Sequence, residues 1–232
     1  MPELPEVHAL AHDLDQRLRD RPITRIDLTA FSALKTLDPP LHALHGTLIN
    51  SVTHHGKFLD IDASGVHLVI HLARAGWIRW REDVPKVPAK PGGKNPLAAR
   101  IVLDEDDTGH TNGLDITEAG TKKSLAIYVT HDPMSLDNIA RLGPDPLDSA
   151  FTPDVFTQIL TDAGRSQIKG VLRHQGTIAG IGNAYSDEIL HAAKMSPFKP
   201  ASSLDDADIA HLYAAIRDTL TAAVERSTGL AA

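Results

Sequence analysis

The first six residues, Met1-Pro2-Glu3-Leu4-Pro5-Glu6, carry the groups best suited to covalent chemistry. Once the initiator methionine is removed, Pro2 presents a secondary amine, and the pKa of an α-amino group is roughly 8, so part of it is neutral near pH 7. A neutral amine can attack an electrophilic carbon and form an iminium. Glu3 and Glu6 lie within one helical turn of that amine and could move protons for it. The alternative is an ordinary helix start, because acidic residues stabilise a first turn.

A second candidate site lies in the second half of the chain, where Gly180-Ile181-Gly182 precedes Asn183. The pattern predicts a tight glycine turn and a helix that begins at Asn183, with the backbone able to approach a ligand closely. Exposed amides at a helix start and the Asn183 side chain suit a phosphate group. Many such turns are only structural, so the motif is weak evidence by itself.

The elements that position these groups follow from hydrophobic periodicity. Apolar residues at three- and four-residue spacing predict a helix over residues 3–19. Short, partly alternating runs then predict antiparallel strands, with a hairpin at Ser64-Gly65. The predicted strands are Ile23–Thr29, Thr47–His54, Lys57–Ala63, Val66–Leu72, Gly76–Trp80, Ala99–Asp104 and Ser124–Thr130. Residues 82–98, rich in proline and glycine, predict a mobile loop.

After Asp132-Pro133 the pattern changes to that of helices. These are predicted at Pro153–Leu160, Ser166–His174, Ala184–Ala193 and Asp205–Arg226, and Ser203–Asp206 supplies a cap and an acidic first turn for the last one. The fold class is therefore α+β, with two domains. We expect an N-terminal antiparallel β-sandwich with its helix in residues 1–132 and a helical domain in residues 133–232.

Composition limits the class of protein. The 232 residues have 42% hydrophobic and 23% charged content and no cysteine, so a cysteine-ligated zinc site is excluded within them. No segment resembles a signal peptide or a membrane span, and a cytoplasmic location is expected. The net charge of −7 argues against bulk nucleic-acid binding, but residues 70–100 hold seven basic and two acidic side chains. This predicts either one basic face or a solvated lysine-rich loop.

Four motifs in collinear order resemble the formamidopyrimidine-DNA glycosylase and endonuclease VIII family of base-excision repair. They are Pro2–Val7, His55–Leu59, Leu142–Leu147 and Gly180–Asn183, and the resemblance covers residues 2 to about 226. The resemblance implies that the helical domain is of the helix–two-turn–helix type and binds DNA. It also implies a bifunctional enzyme that removes an oxidised base and nicks the strand.

The resemblance assigns roles to individual residues. Pro2 matches the nucleophile that attacks C1′, and Glu3 matches the general acid/base. Lys57 matches a hairpin lysine that assists chemistry and contacts phosphate, although a surface lysine is the simpler interpretation. Glu6 matches a carboxylate that helps hold the site together, or it caps the helix. The matching DNA contacts are His71, Arg74, Arg141, Lys169 and Asn183, and core packing is a serious alternative for His71.

Three departures from the family affect what can be expected. Arg74 stands where members usually insert an apolar wedge, and its flat guanidinium could fill the gap by stacking. Glu118–Lys123 stands where the guanine-directed branch has an arginine-phenylalanine loop. Both departures favour oxidised pyrimidines and the endonuclease VIII side of the family. The usual four-cysteine zinc hairpin is missing, so we expect no cofactor in these residues, and either the sequence is part of a longer chain or the hairpin is absent.

The expected partner is double-stranded or bubble DNA that contains damaged bases or abasic sites, bound by a nucleoid-associated monomer without membrane contact. Oxidised purines are the alternative substrate. A different class, a non-catalytic module that binds damaged DNA, also remains open. The presence of Pro2, Glu3 and Lys57 together favours the enzyme. The chain begins with Met1, however, and while Met1 is attached Pro2 is an amide and cannot act as the nucleophile.

Overall fold

The computed structural model describes residues 1–91 and 96–228. Helix α1, Leu4–Leu18, is followed by eight strands in the described part of the chain. They form two four-stranded antiparallel sheets, in the orders β1-β6-β7-β5 and β2-β3-β4-β8. The strands are β1 Ile23–Leu28, β2 Ile49–His55, β3 Phe58–Ala63, β4 Val66–His71, β5 Gly76–Arg81, β6 Leu97–Glu105, β7 Thr111–Glu118 and β8 Ala126–Thr130.

Tight turns connect the strands that carry site residues. Gly56, with φ of +55°, and Lys57 form the two-residue connection between the paired residues His55 and Phe58. The predicted hairpin at Ser64-Gly65 is confirmed, since both residues have positive φ and Ala63 pairs with Val66. Between β4 and β5 the chain passes from one sheet to the other, and the Gly76 amide closes this turn on the Leu72 carbonyl at 2.8 Å.

The rest of the chain is helical, as predicted. The helices are α2 Asp137–Ala140, α3 Pro153–Ala163, α4 Ile168–Arg173, α5 Asn183–Ala192 and α6 Asp206–Ser227. Thr152 caps α3 by accepting a hydrogen bond from the Val155 amide, and Asp205 caps α6 by accepting one from the Asp208 amide. Among the helices of the described ranges, none is both long and apolar enough to cross a membrane.

Helix α1 contributes to two separate hydrophobic cores. Leu10, Leu14 and Leu18 pack with the inner faces of both sheets, whereas Leu4 packs with the core of the helical region. All four are fully buried, and burial of one leucine stabilises the fold by about 1.5–3 kcal/mol. The Leu4 amide also donates to the Gly180 carbonyl at 3.0 Å. The first turn of α1 therefore lies where the sandwich and the helices meet.

The predicted fold class is confirmed, with two differences in detail. Strand β7 was not predicted, because its acidic residues concealed the alternation. The loop predicted over residues 82–98 is irregular up to residue 91, but the Val84 amide donates to the Thr111 carbonyl at 2.7 Å and Val84 is buried. Residues 92–95 of that loop lie outside the described residues, so its predicted mobility stays a prediction.

Candidate active site and nucleic-acid interface

Glu3 is the centre of the site. Its side chain is only 4% exposed, and its carboxylate accepts three hydrogen bonds from backbone amides at the start of α5. Oε2 accepts from Gly182 at 2.6 Å and from Tyr185 at 3.2 Å, and Oε1 accepts from Ala184 at 3.0 Å. The positive end of the α5 dipole further stabilises this buried charge. The residue beside Pro2 is therefore fixed by an element about 180 positions away in the sequence.

Glu6 stabilises the same end of α1. Its Oε2 accepts a hydrogen bond from the Glu3 amide at 2.9 Å, and its Oε1 accepts one from the Tyr185 hydroxyl at 2.6 Å. Burial and this bond to Glu6 raise the pKa of Tyr185, so the phenol remains a donor. The family role assigned to Glu6 and the helix-capping interpretation therefore describe the same geometry, in which Glu6 caps α1 and joins it to α5.

Two glycines allow the start of α1 and the turn before α5 to approach each other this closely. A Cβ atom at Gly182 would lie 2.3 Å from the Glu3 Oε1, and a Cβ atom at Gly180 would lie 2.5 Å from the Cβ of Leu4. Gly56, in the β2–β3 turn, faces the same segment, since its Cβ would lie 3.3 Å from the Gly180 nitrogen. The glycine turn before α5 thus packs against both the start of α1 and the hairpin that carries Lys57.

Lys57 is buried beside these groups, with 8% of its surface exposed. Burial lowers the pKa of its ammonium, Glu3 opposes this effect, and the positive charge of Arg173 lowers the pKa further. A neutral lysine amine can accept a proton, which a fully charged one cannot. The surface-lysine interpretation of Lys57 is therefore wrong, because the side chain enters the site.

His71 lies next to Lys57 across the β3–β4 pair. Its ring contacts the ring of Phe58 with centroids 4.7 Å apart, and the residue is half-buried. Burial and the charge of Lys57 lower the pKa of His71, so it is a neutral imidazole at neutral pH. Arg74, in contrast, is exposed at the tip of the β4–β5 turn, as a wedge residue must be.

The three residues predicted to contact phosphate are all accessible to differing degrees. Arg141 is exposed and lies 3.4 Å from Asp137, Lys169 is half-buried and bonds to Asp187 at 2.5 Å, and Asn183 is exposed at the start of α5. One expectation is wrong. The amides of Gly182, Ala184 and Tyr185 are not free for a phosphate, because the Glu3 carboxylate already occupies them.

Sequence reasoning missed several residues of the site. Tyr185 and Gln175 carry no local signal, because their partners are distant in the sequence or are backbone atoms. Gly56 also lines a cleft of about 530 Å³. Among its lining residues, His8 and His54 share a hydrogen bond of 2.8 Å, and His54 Nδ1 lies 3.7 Å from the Asp145 carboxylate.

The predicted basic face is only partly formed. Arg100 is neutralised by Asp115 through two bonds of 2.5 and 2.8 Å. Arg79 and Arg81 are exposed on the outer side of β5, since the intervening Trp80 packs towards the sandwich core. Lys94 lies outside the described residues. The cations near Glu3 therefore come from the hairpin and the helices rather than from one continuous strip.

The residues of this chain do not fit the four-cysteine zinc site that is usual in the family it resembles. The sequence has no cysteine, and within residues 1–91 and 96–228 no group of three histidine or acidic side chains could hold a metal ion.

Comparison with known proteins shows the family. Residues 1–121 match the family model of the formamidopyrimidine-DNA glycosylase N-terminal domain, and residues 142–231 match that of the formamidopyrimidine-DNA glycosylase H2TH domain. The formamidopyrimidine-DNA glycosylase of Symbiobacterium thermophilum is 33% identical over 229 residues, which are 97% of this chain and 71% of that protein. That of Moorella thermoacetica is 33% identical over 226 residues, which are 95% of this chain and 77% of the relative.

Solved structures give the same answer for the fold. The crystal structure of the MutM (Fpg) protein from Thermus thermophilus has a TM-score of 0.77 at 28% identity and covers 97% of this chain and 77% of its own. The Lactococcus lactis Fpg, in complex with abasic-site DNA, has a TM-score of 0.80 at 24% identity, with 96% and 78% covered. These matches do not separate the endonuclease VIII side of the family. The chain belongs to the formamidopyrimidine-DNA glycosylase family, whose members are base-excision-repair DNA glycosylases with AP lyase activity.

Proposed function

We propose that this protein, once Met1 is removed, excises oxidised bases from DNA through the amine of Pro2 and then cleaves the strand at the same nucleotide. The observation that carries the proposal is the buried Glu3 carboxylate, held by three amides directly beside Pro2 and close to Lys57. Met1 is 54% exposed, so an aminopeptidase can reach it.

The chemistry needs one amine and two proton carriers. The Pro2 nitrogen attacks C1′ of the damaged nucleotide, the glycosidic bond breaks, and the base leaves with its electron pair and takes up a proton. The nitrogen loses its own proton, the C1′–O4′ bond of the sugar then breaks, O4′ takes up a proton, and the nitrogen lone pair completes an iminium at C1′. This iminium acidifies the C2′ hydrogen, and loss of that proton expels the 3′ phosphate by β-elimination. We expect Glu3 and Lys57 to move these protons, and the burial that lowers the pKa of Lys57 makes its ammonium a better proton donor.

DNA binding is assigned to the surface around this site. We expect Arg141, Lys169 and Asn183 to contact backbone phosphates, and His71 and Arg74 to contact DNA from the strand and turn next to Lys57. Extruding a base costs a few kcal/mol, and phosphate contacts together with a wedge residue offset this cost. We expect a monomer that acts on damaged duplex or bubble DNA in the cytoplasm.

Oxidised pyrimidines are the proposed substrate class. The segment after β7 cannot act as a long reading loop, because the buried Glu118 carboxylate accepts hydrogen bonds from the Ser124 and Leu125 amides at 2.7 and 3.0 Å. The Lys123 ammonium also bonds to the Glu118 carbonyl. These bonds hold the two ends of a short, exposed segment together. Oxidised purines remain the second candidate, since the relatives named above are formamidopyrimidine-DNA glycosylases.

Matched duplexes that carry thymine glycol, 8-oxoguanine or a formamidopyrimidine at one position test the substrate class. Single-turnover excision should be fastest on thymine glycol, and faster excision of the purine lesions would reverse the proposed preference. Binding to all duplexes without excision of any base would instead favour the non-catalytic damaged-DNA-binding module.

A further inference from the structure

Arg173 is a cation at the site that no motif explains. It is the last residue of α4 and is exposed. Its backbone is fixed by Gln175, whose side-chain amide donates to the Arg173 carbonyl at 2.9 Å and to the Ile181 carbonyl at 2.6 Å. The oxygen of the same amide accepts from Gly180 at 3.0 Å. Arg173 is therefore fixed to the glycine turn that holds Glu3.

Arg173 lies near the hairpin that carries Lys57, because Gln175 joins the Arg173 backbone to Gly180, and a Cβ atom at Gly56 would lie 3.3 Å from the Gly180 nitrogen. In agreement with this placement, the positive charge of Arg173 is the last of three influences on the pKa of Lys57, after burial and Glu3. Arg141 and Lys169 are paired with Asp137 and Asp187. Within the described ranges, by contrast, no carboxylate lies within ion-pair distance of Arg173. An exposed, unpaired guanidinium beside a buried lysine is a site at which an anion would bind favourably.

We propose that Arg173 binds the backbone phosphate adjacent to the target nucleotide and so holds the sugar of that nucleotide against Pro2. This inference rests on the proposed function and adds a substrate-binding residue to it. The guanidinium offers two parallel N–H donors that match phosphate oxygens, which a lysine cannot do. A phosphate between Arg173 and Lys57 would also separate the two positive charges and relieve their repulsion.

Binding of a duplex that contains a tetrahydrofuran abasic analogue, measured against salt concentration, tests the assignment without any chemical step. Arg173→Gln should weaken binding by roughly tenfold and lower the salt slope by about one. Arg79→Gln is the matched control, because it removes an equally exposed arginine from the outer side of β5, and it should bind like the parent. Arg173→Lys should keep the slope of the parent.

Single methylphosphonate substitutions then locate the contact. At one phosphate beside the analogue, the neutral linkage should weaken the binding of the parent protein by roughly tenfold. The same linkage should leave the binding of Arg173→Gln unchanged, because the phosphate and Arg173 act as one interaction. Equal salt slopes for the parent and Arg173→Gln, or additive losses at every phosphate, would overturn the inference while leaving the proposed function intact. A parent protein that does not bind the analogue duplex would instead refute the proposed function.

Discussion

The close approach of Gly182 to Glu3 gives the sharpest single-atom perturbation of the site. The backbone of Gly182, with φ of −118° and ψ of −152°, is extended and open to alanine, so Gly182→Ala introduces no backbone strain. The added Cβ would lie 2.3 Å from the Glu3 Oε1 and 2.8 Å from Oε2. An unstrained contact is roughly 3.5 Å, so the carboxylate must retreat by roughly 1 Å.

The retreat has a calculable effect on both stability and rate. The bond of 2.6 Å from the Gly182 amide to Oε2 would lengthen to roughly 3.6 Å, which is no longer a hydrogen bond. A hydrogen bond to a buried charge contributes about 1.5–3 kcal/mol, so loss of this one lowers the free energy of unfolding by about 1.5–3 kcal/mol. A catalytic group misplaced by about 1 Å loses roughly 100-fold in rate.

Two assays separate these effects. Urea denaturation gives the change in stability, and single-turnover borohydride trapping on abasic-site DNA, under conditions where the variant is fully folded, gives the rate. Gly170→Ala is the control, because its Cβ would meet no atom within 4 Å and alanine is favoured in a helix. A Gly182→Ala protein that traps at the rate of the parent would refute the role of Glu3. If the free energy of unfolding of Gly182→Ala also equalled that of the parent, the close approach of Gly182 to the Glu3 carboxylate would itself be wrong.

Other parts of the molecule give three further predictions, for His54, for the residues expected to contact phosphate and for Lys57. His54 is half-buried and its pKa is lowered from 6.5 to about 4, mainly by desolvation, so below about pH 6.5 the unfolded chain binds a proton that the folded one does not. Acidification from pH 6.5 towards 4 should therefore lower the free energy of unfolding by up to about 3 kcal/mol. His54→Gln should reduce this loss and His191→Gln should not, and a pH slope unaltered by His54→Gln would contradict the prediction. Asn183→Ala and Lys169→Ala should weaken DNA binding irrespective of sequence, and Lys169→Ala should lower the salt slope by about one; parental binding by both variants would remove the helical domain from the DNA interface. Lys57→Met should lower the trapping rate by roughly 10²–10⁴, the usual contribution of a proton carrier, and a parental rate would exclude it from that role.

Much of the fold could be predicted because local patterns agree with it. The leucine spacing in α1, the alternation in the other seven strands and the cap at Asp205 all have short-range causes. Strand β7 could not be predicted, because its acidic residues are compensated by distant groups. Asp115 bonds to Arg100 on the neighbouring strand, and Glu118 accepts from the amides of Ser124 and Leu125. The partners that let these acidic residues lie in a sheet are thus distant in the sequence and leave no local signal.

The sequence predicts a set of candidate residues, whose roles stay predictions, and it does not predict the geometry that joins Glu3 to α5. The glycine turn was interpreted as a phosphate cradle because its amides are unsatisfied locally. In the fold those amides bind Glu3, a residue about 180 positions earlier, and no pattern in either segment indicates that pairing. Similarly, nothing near Tyr185 predicts its bond to Glu6, and nothing near Arg173 predicts its effect on Lys57.

The central claim is that the amine of Pro2 is the nucleophile, and the site of covalent attachment tests it most directly. Protein freed of Met1, as shown by its intact mass, should be trapped by borohydride on abasic-site DNA. After digestion of protein and DNA, tandem mass spectrometry should place the reduced sugar remnant on Pro2, and protein that retains Met1 should give no adduct. A remnant on Lys57 or any other side chain, or no adduct from processed protein that binds the DNA, would contradict the account.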